Sequence, residues 1–416
     1  MFRRTEFQLF ALQPYRLFFT ARVTSALSDA MIPVALSVAA LSAGFGVGGL
    51  GLLLAAQVGT FVLFVMVGGV FADRFGPLRQ MIGADVVRCV VQGSLAAYLT
   101  FAGHPPFWFF LLGAGLGGIA TGMFQPGLGS MMPTIAPGRV QEASGLLSSA
   151  TALTAVIGAA AGGALVALGG PQAVVGLDTL AYAVSATCLL RLRRDTAPSK
   201  PETTQHWRQD IVEGWREFRS RTWFWAVIVV FALMSLVAFG PFFVLSISVL
   251  TTRHGSTVFG VMVALEMAGG VLGGLSVARI RPPYPLRTAF LLTIPMALPM
   301  VTIGVDAPLV LTGAAMFVSG WTRSMELVLW TTTGQTQIPP PVLNRLYAYD
   351  VAGCTSLLAV GQALSGPEVS LLGDRGALLL SAAATVVGSV ALLAVPAVRR
   401  LRAAVPDQAV LAAAAA

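Results

Sequence analysis

Long apolar runs alternate with short polar segments along the whole chain, and this pattern sets the expected architecture. A transmembrane helix needs about 20 mostly apolar residues, and about twelve runs of this length follow one another. They cover roughly residues 15–41, 47–71, 80–102, 107–131, 143–168, 172–190, 222–249, 257–278, 287–305, 308–331, 346–366 and 376–396. The pattern predicts an all-α polytopic membrane protein with twelve transmembrane helices.

The longest polar segment, residues 191–221, divides the predicted spans into two sets of about six. We therefore expect a first bundle, a linker, a second bundle and a tail, with boundaries at residues 1–190, 191–221, 222–398 and 399–416. Two six-helix bundles are typical of transporters built from repeats, whose binding site lies near the membrane midplane.

The linker contains an amphipathic pattern of its own. Four bulky apolar residues recur at helical spacing, namely Trp207, Ile211, Trp215 and Phe218. Charged residues fill the other face, so we expect a helix that lies on the inner membrane surface. A calmodulin-binding or nucleic-acid-binding arm is the alternative interpretation of this segment.

The composition excludes a soluble protein and changes the interpretation of the charge. Of the 416 residues, 56% are hydrophobic and 11% are charged, against about 25% charged residues in a soluble domain. The net charge of +8 comes from basic residues scattered between apolar runs, which indicates membrane topology and not nucleic-acid binding. If the N-terminus is cytoplasmic, the external loops keep only Arg253 and Arg375. We therefore expect a bacterial inner-membrane protein with both termini inside.

Residues that commonly build metal, redox or nucleotide sites are spread out. Cys89, Cys188 and Cys354 lie in apolar runs and form no Cys-x-x-Cys pair. The stretch Gly113–Gly118 matches a dinucleotide-binding pattern, but it lies inside an apolar run with no strand before it. We expect no metal, no cofactor and no enzymatic activity.

One short charged segment, Gly68–Gln80, lies between the second and third predicted spans. Its glycine and charged positions form a spaced pattern, namely Gly69, Asp73, Arg74, Gly76 and Arg79. We expect Gly69 to allow close helix approach, Asp73 to cap a helix or pair with a cation, and Gly76 to permit a tight turn. The segment is predicted to be a conformational latch. The alternative is a loop that only fixes the topology.

This spacing resembles the loop between the second and third helices of major facilitator superfamily transporters. Phe124–Gly127, Gly158–Gly163 and Gln337–Pro339 are similar to the twelve-helix drug:proton antiporter branch, which includes macrolide-efflux and enterobactin-exporter-like proteins. The resemblance implies two six-helix bundles that open alternately to each side. It also implies export of an amphipathic small molecule, such as an antibiotic or another secondary metabolite, in exchange for protons.

The sequence departs from the patterns of that family in two motifs. Pro77 and Leu78 follow the second glycine where basic residues are usual, so Arg79 alone supplies the charge there. Ala159 stands where a helix-bending proline is usual, and this difference weakens the inference of antiport. The small residues that allow helices to pack closely are still present, namely Gly158, Gly162 and Gly163.

Acidic residues inside the predicted spans indicate function, because a charge in hydrocarbon is costly and tends to face a cavity or a partner. Asp29 and Glu266, near the middle of their spans, are the first candidates for proton binding. Asp178 and Glu326 are the further candidates. A carboxyl group whose burial and neighbours change can gain and release a proton.

Arginines inside the spans are expected to pair with these acids or with an anionic substrate. Arg22 lies two helical turns before the acid of the first span, with structural salt bridging as the alternative. Arg323 and Glu326 are three residues apart, so we expect them to neutralise each other. Asp85 and Arg88 lie near the predicted cytoplasmic interface, and we assign them to the latch.

Four bulky residues are predicted to line a lipophilic cavity, namely Met31, Phe124, Phe239 and Trp321. The expected partners are a small-molecule substrate, protons and the lipid bilayer, with no nucleic acid and a monomeric state. One alternative is an importer, facilitator or lipid flippase of the same fold. The other is a membrane receptor or assembly factor that transports nothing.

Overall fold

The computed structural model describes residues 9–103, 105–195, 218–277, 279–280, 282–338 and 340–403. Every regular element among these residues is helical, as the apolar pattern predicts. Residues 196–217, which include most of the predicted amphipathic helix, lie outside the described residues, as does the tail beyond residue 403.

The first half of the chain forms helices α1 (Gln13–Asp29), α2 (Ile32–Ser42), α3 (Gly46–Phe75), α4 (Pro77–Phe101), α5 (Phe107–Ile135) and α6 (Val140–Asp195). The break between α1 and α2 has a local cause. Pro33 follows it and has no N–H to donate to the carbonyl of Asp29, so the helical hydrogen bond across the break cannot form. Helix α6 is interrupted at Gly170, whose φ of 74° is followed by Pro171.

The second half forms α7 (Thr222–Met234), a π-helical turn (Ser235–Phe239), α8 (Gly240–Val277), α9 (Pro285–Thr293), a 3₁₀ turn (Ile294–Ala297), α10 (Leu298–Gly304), α11 (Leu309–Gln337), α12 (Pro340–Ala394) and α13 (Pro396–Arg399). Helices α8 and α12 are each interrupted at a glycine with positive φ, namely Gly255 at 86° and Gly373 at 68°. Only glycine adopts such an angle without strain, so the chain can reverse direction at these points.

Eight stretches of the described residues are long and apolar enough to cross a membrane. Three of them are unusually long, at 51, 56 and 42 residues, whereas one crossing takes about 20. Each of these three contains one of the interrupting glycines described above. The chain is therefore a helical membrane protein with several spans, and the count of twelve stays a prediction.

The helices turn at two ends of the molecule. We call one the Gly44 end, where Gly44, Gly103, Gly170, Gly255 and Gly373 take positive φ angles. We call the opposite one the Gly76 end, because Gly76 and Gly138 turn the chain there.

The buried apolar residues form one cluster that both halves share and separate clusters that they do not. The shared cluster, which includes Leu53 of α3 and Phe259 of α8, lies toward the Gly44 end. Toward the Gly76 end, Phe18 and Met81 belong to a cluster of the first half, whereas Phe224 belongs to a cluster of the second. The two halves thus share a core at one end and have their own cores at the other.

Close contacts between the halves follow the same division. A Cβ built on Gly163 of α6 would lie 3.0 Å from Cα of Gly260 in α8, and one built on Gly48 of α3 would lie 3.5 Å from Cα of Gly366 in α12. Farther along α3 and α12, a Cβ on Gly59 would lie 3.9 Å from that of Ala359. The contact surface therefore runs from the Gly44 end to about the middle of the molecule.

Candidate functional site

Charged residues from the interior of the first half meet in one cluster between α1, α4, α5 and α6. Helix α6 brings them together, because it packs against both α1 and α4. The cluster contains two arginines, three aspartates, one tyrosine and one phenylalanine, namely Arg22, Arg88, Asp29, Asp85, Asp178, Tyr182 and Phe124. Below we call this set the N-half cluster.

Asp29 joins α1 to α6 at the point where α1 ends. Nη1 of Arg22 lies 3.7 Å from Oδ2 of Asp29, so the predicted pair on one helix face is present. The hydroxyl of Tyr182 donates a hydrogen bond to Oδ1 of Asp29. Asp29 thus has one cationic and one neutral partner, and its side chain remains 39% exposed.

Asp85 and Arg88 form a buried pair one turn apart on α4. Nη1 of Arg88 lies 3.5 Å from Oδ1 of Asp85, and the hydroxyl of Ser185 donates to Oδ2 of Asp85 at 2.5 Å. Both side chains are buried inside the bundle and do not lie at its interface, and the latch role of this pair stays a prediction. The pair belongs to the N-half cluster because Arg88 lies within electrostatic range of Asp29 and Asp178.

Aromatic rings cover the two guanidinium groups. Cζ of Arg22 lies 5.9 Å from the ring centre of Phe124, and Cζ of Arg88 lies 5.2 Å from the same ring and from that of Tyr182. A guanidinium above a ring face is attracted by the ring quadrupole, and this attraction strengthens where water is excluded. The rings therefore help to hold both cations inside the first half.

Asp178 is the one acid of the cluster for which no ion pair is seen among the described residues. Nε2 of Gln92 donates to Oδ2 of Asp178 at 2.9 Å. For the buried Oδ1 of Asp178 no hydrogen bond of normal geometry is seen among the described residues, and the hydroxyl of Ser28 lies close enough to interact with the carboxyl. A fully buried carboxyl with a neutral partner is costly to keep charged, so Asp178 stays a candidate for proton binding.

The charges of the N-half cluster do not balance unless it carries a proton. The cluster holds three carboxyl groups against two guanidinium groups, so it reaches neutrality when it carries one proton. Exposure falls from Asp29 at the surface to Asp85 and Asp178, which are fully buried. Protonatable groups therefore lead from the surface of α1 into the first half.

The second half contains a smaller arrangement between α8 and α11. Nη2 of Arg323 lies 3.6 Å from Oε1 of Glu266, and Arg323 is half exposed. Arg323 acts electrostatically on Glu326, as expected, but the ion pair of Arg323 is made with α8. Glu326 is buried one turn before Trp330, whose Nε1 donates to Oδ2 of Asp350 at 2.9 Å.

The residues predicted to line a cavity have different surroundings. Met31 is buried against Gly162, and Phe124 is buried beneath the two arginines, so neither faces an open cavity. Phe239 lies in the π-helical turn with its ring centre 6.3 Å from that of Phe231. Trp321 is 37% exposed and donates from Nε1 to the hydroxyl of Ser276 at 3.3 Å.

The segment Gly68–Gln80 is much more helical than a loop. Helix α3 continues through it to Phe75, and the turn consists of Gly76 alone, with φ of 85°. The close approach predicted at Gly69 is wrong, because a Cβ built there meets nothing within 4 Å. The side chain of Asp73 lies outside the described residues, so its latch role stays a prediction.

The other charged positions of that segment are exposed. Arg74 places its guanidinium 5.7 Å from the ring centre of Phe75. Arg79 projects from the first turn of α4, and no ion pair is seen for it in the part of the chain that the structure describes. Their part in a latch stays a prediction.

The three packing glycines lie on one helix and contact different partners. A Cβ on Gly158 would lie 2.6 Å from the carbonyl oxygen of Leu27, and one on Gly162 would lie 2.8 Å from Cα of Met31. Gly163 instead faces α8, where the hydroxyl of Ser256 donates to its carbonyl at 3.2 Å. Helix α6 therefore packs with Gly158 and Gly162 against α1 and the residues that directly follow it. With Gly163 it packs against the other half.

Tyr182, Ser185 and Gln92 are site residues that the sequence analysis missed. Tyr182 and Ser185 follow Asp178 at spacings of four and seven, which places these two residues and Asp178 on one face of α6. That spacing is the signal that was available. No group of three or more histidines, cysteines or acids suited to hold a metal is found among the described residues.

Comparison with known proteins gives a family match over most of the chain. The family model described as Major Facilitator Superfamily matches residues 18–351. The chain is 26% identical over 152 residues to a protein of Bacillus amyloliquefaciens provisionally named bacilysin exporter BacE, and 25% identical over 158 residues to its namesake in Bacillus subtilis strain 168. Each match covers only 38% of the relative's length.

Solved structures with the same overall arrangement are transporters. The nucleoside transporter NupG superposes with a TM-score of 0.71 at 14% identity, over 94% of this chain and 100% of the other. An auto-inhibited POT family peptide transporter gives 0.71 at 14%, covering 94% and 98%. A bacterial homologue of the iron transporter ferroportin, in its inward-facing state, gives 0.68 at 15%, covering 92% and 97%. At these identities the similarity establishes the fold alone.

Proposed function

The chain belongs to the major facilitator superfamily, and from this premise we propose that it exports an amphipathic small molecule in exchange for protons. The family and its fold make the protein a transporter and not an enzyme. The observation that carries the proposal is the N-half cluster, in which three carboxyl groups face two guanidinium groups.

The proposed architecture has twelve crossings in two six-helix bundles. The glycine interruptions in α6, α8 and α12 support it, because each divides one overlong apolar stretch into two lengths that can cross a bilayer. We propose a bacterial inner-membrane location with the Gly76 end in the cytoplasm and both termini inside. The arginine distribution supports this orientation, since the external loops then keep only Arg253 and Arg375.

The separation of the two halves supports alternating access. The halves share apolar contacts at the Gly44 end, whereas each has its own core at the Gly76 end. We propose that in this orientation the halves are separated at the cytoplasmic end, where an exporter takes up its substrate. Closing the Gly76 end and separating the glycine contacts at the Gly44 end would release the substrate outside.

Proton coupling is proposed to reside in the N-half cluster. When the cluster carries one proton, its charges balance, and when the proton leaves, one carboxylate is in excess. A substrate that carries positive charge offsets this excess, so its binding favours release of the proton. A ligand shifts a conformational equilibrium only by its different affinity for the two states, and this exchange supplies such a difference.

The export direction rests on the named relatives. The Bacillus proteins carry an exporter name, and the chain matches part of their length. We propose bacilysin as the first compound to test, followed by a panel of amphipathic antibiotics. A compound that raises the melting temperature of the purified protein qualifies as a ligand.

The test of coupling measures proton release on ligand binding. Purified wild-type protein in weakly buffered detergent solution should release about one proton per bound ligand molecule. Asp178→Asn removes the excess carboxylate, so it should bind the ligand more weakly and release no proton. Glu142→Gln, which removes a half-exposed acid of the same helix, is the matched control and should behave as wild type. Ligand binding without any pH change in the wild type would contradict the proposal.

One observation favours a second function, a facilitator or importer without antiport. Ala159 replaces the usual helix-bending proline, and the one residue of α6 with non-helical angles is Gly170. A facilitator would move its substrate equally in both directions and would be unaffected by a collapsed proton gradient. Flux in everted vesicles with and without a protonophore separates the two functions.

A further inference from the structure

A groove opens on the side of the first half at its Gly76 end, away from the N-half cluster. We call it the lateral groove, and its volume is about 420 Å³. Helices α3, α4 and α5 form it, with apolar walls that include Phe71, Phe75, Val87 and Met123. Phe71, Phe75 and Val87 are each more than a third exposed, so the groove is open to the surroundings of the helix bundle.

The floor of the lateral groove is made of small residues and one fixed amide. Gly83 lies on the floor, and a Cβ built there meets nothing within 4 Å, so the space above it is empty. Nε2 of Gln80 donates to the carbonyls of Gly68 at 2.8 Å and of Met123 at 2.6 Å. These two bonds tie α4 to α3 and α5, so the groove has its shape before anything occupies it.

The mouth of the lateral groove is positively charged. Arg79 lines it and is exposed, and for its guanidinium no hydrogen bond or ion pair is found among the residues that the structure describes. Arg74 lies nearby, with its guanidinium over the ring of Phe75. An apolar groove with cations at one end matches a molecule with a hydrocarbon chain and an anionic head.

We propose that the lateral groove binds one anionic phospholipid. An acyl chain lies between the aromatic wall of α3 and the wall of α5, and the headgroup phosphate pairs with Arg79 and Arg74. The Gly76 end of a membrane-spanning bundle lies at headgroup depth, where arginines attract anionic lipids. Hydrocarbon in the groove also covers aromatic surface that is otherwise exposed at the edge of the bundle.

The test counts phospholipid retained by the purified protein in native mass spectrometry. The probes are dioleoylphosphatidylglycerol, dioleoylphosphatidylcholine and glycerol 3-phosphate, which separate the chain from the charged head. Wild-type protein should retain one phosphatidylglycerol molecule in preference to phosphatidylcholine. Glycerol 3-phosphate should not displace it.

Two variants test the headgroup contact and the acyl-chain contact separately. Arg79→Gln should weaken phosphatidylglycerol binding about fivefold, the effect of one arginine near an anionic surface. Gly83→Leu should abolish retention by filling the empty floor, without disturbing the fold. The matched controls are Arg16→Gln, which removes an exposed arginine of α1, and Gly145→Leu, at an exposed glycine of α6 that also has nothing within 4 Å.

The outcomes do not depend on transport. Equal retention by wild type, Arg79→Gln and Gly83→Leu would show ordinary annular lipid and overturn the proposal. Displacement by glycerol 3-phosphate would also overturn it, since the site would then be a simple anion site. Loss of binding in the two groove variants, with normal binding in both controls, is the result that we expect.

Discussion

Arg88 is the residue on which the N-half cluster depends most for stability. It is buried, pairs with Asp85 and lies over the rings of Phe124 and Tyr182. Removing one partner of a buried ion pair leaves an uncompensated charge, which typically costs about 3–5 kcal/mol.

We therefore predict that Arg88→Gln lowers the free energy of unfolding by about 3 kcal/mol. A fall in melting temperature of the purified protein would show it. Arg16→Gln is the control, because Arg16 is an exposed arginine of α1. A melting temperature that falls equally in both variants would mean that the buried pair contributes nothing specific.

Tyr182 separates the structural part of the cluster from its proposed proton chemistry. Tyr182→Phe removes the hydrogen bond to Asp29 and keeps the ring that covers Arg88. We predict a loss of about 1 kcal/mol of stability, the usual net value of one hydrogen bond. Proton release on ligand binding should nevertheless persist, because all three carboxyl groups of the cluster remain. Loss of proton release in Tyr182→Phe would show that the hydroxyl of Tyr182 itself belongs to the coupling group.

For single residues, the sequence predicted which residues belong to the site better than it predicted which residues they pair with. It indicated Asp29, Asp178, Glu266 and Arg22 because charges inside apolar runs are conspicuous. It did not predict that Asp85 and Arg88 belong to the same cluster, since that depends on how α6 packs against α4. It also paired Arg323 with its neighbour in sequence, whereas the structure pairs it with Glu266 of α8.

Helix α6 is the element that connects the cluster to the contact between the halves. Asp178, Tyr182 and Ser185 lie on its second part, whereas Gly158 and Gly163 lie on its first part. A Cβ on Gly158 would meet α1 of the same half, and a Cβ on Gly163 would meet α8 of the other. Large residues at these two positions should therefore have different effects.

We predict that Gly163→Leu keeps the first half folded and prevents closure of the Gly44 end. A cysteine introduced by Ala39→Cys, at a buried position of α2, should then react faster with a maleimide added from that side. Gly158→Leu should instead lower the melting temperature, because overpacking within a bundle costs about 1–3 kcal/mol. Equal labelling rates in wild type and Gly163→Leu would show that this contact is not a gate.

The elements themselves were largely predictable, with characteristic errors at their ends. Apolar run lengths predicted the helices, because a bilayer-spanning helix is a length of hydrophobic sequence. They predicted too long a loop at Gly68–Gln80, since charged residues at a helix end look like loop residues. The helical turns continue through them, and Gly76 alone reverses the chain.

For the whole molecule, the contact between the halves predicts a reversible lock. Cβ atoms at positions 59 and 359 would lie 3.9 Å apart, within the range of a disulfide. In a variant without the native Cys89, Cys188 and Cys354, the pair Gly59→Cys and Ala359→Cys should crosslink the halves. We predict that oxidation stops transport and that reduction restores it.

A crosslink within one half is the control for this lock. A Cβ on Gly113 of α5 would lie 3.6 Å from Cγ1 of Val91 in α4, so a short bifunctional thiol reagent should link Gly113→Cys to Val91→Cys. That link joins helices of the same half and should leave transport unchanged. Full transport by the oxidised Gly59→Cys, Ala359→Cys protein would contradict movement of the two halves relative to each other.

The division of the chain into two halves was predicted from the sequence, but the end at which the halves contact each other was not. The polar linker indicated where one bundle ends, because six apolar runs lie on each side. Which end is closed depends on contacts such as those of Gly163 with Gly260 and of Gly48 with Gly366, which join residues far apart in the chain. A single sequence carries no signal for such pairs.

Proteoliposomes with an imposed pH gradient and no membrane potential test proton-coupled export most directly. The substrate identified by thermal stabilisation is followed together with internal pH, in wild type and in Asp178→Asn. Our account predicts that the gradient drives wild-type substrate accumulation with opposite proton movement, and that Asp178→Asn only equilibrates the substrate. Equal substrate flux with and without the gradient, in wild type and variant alike, would contradict it.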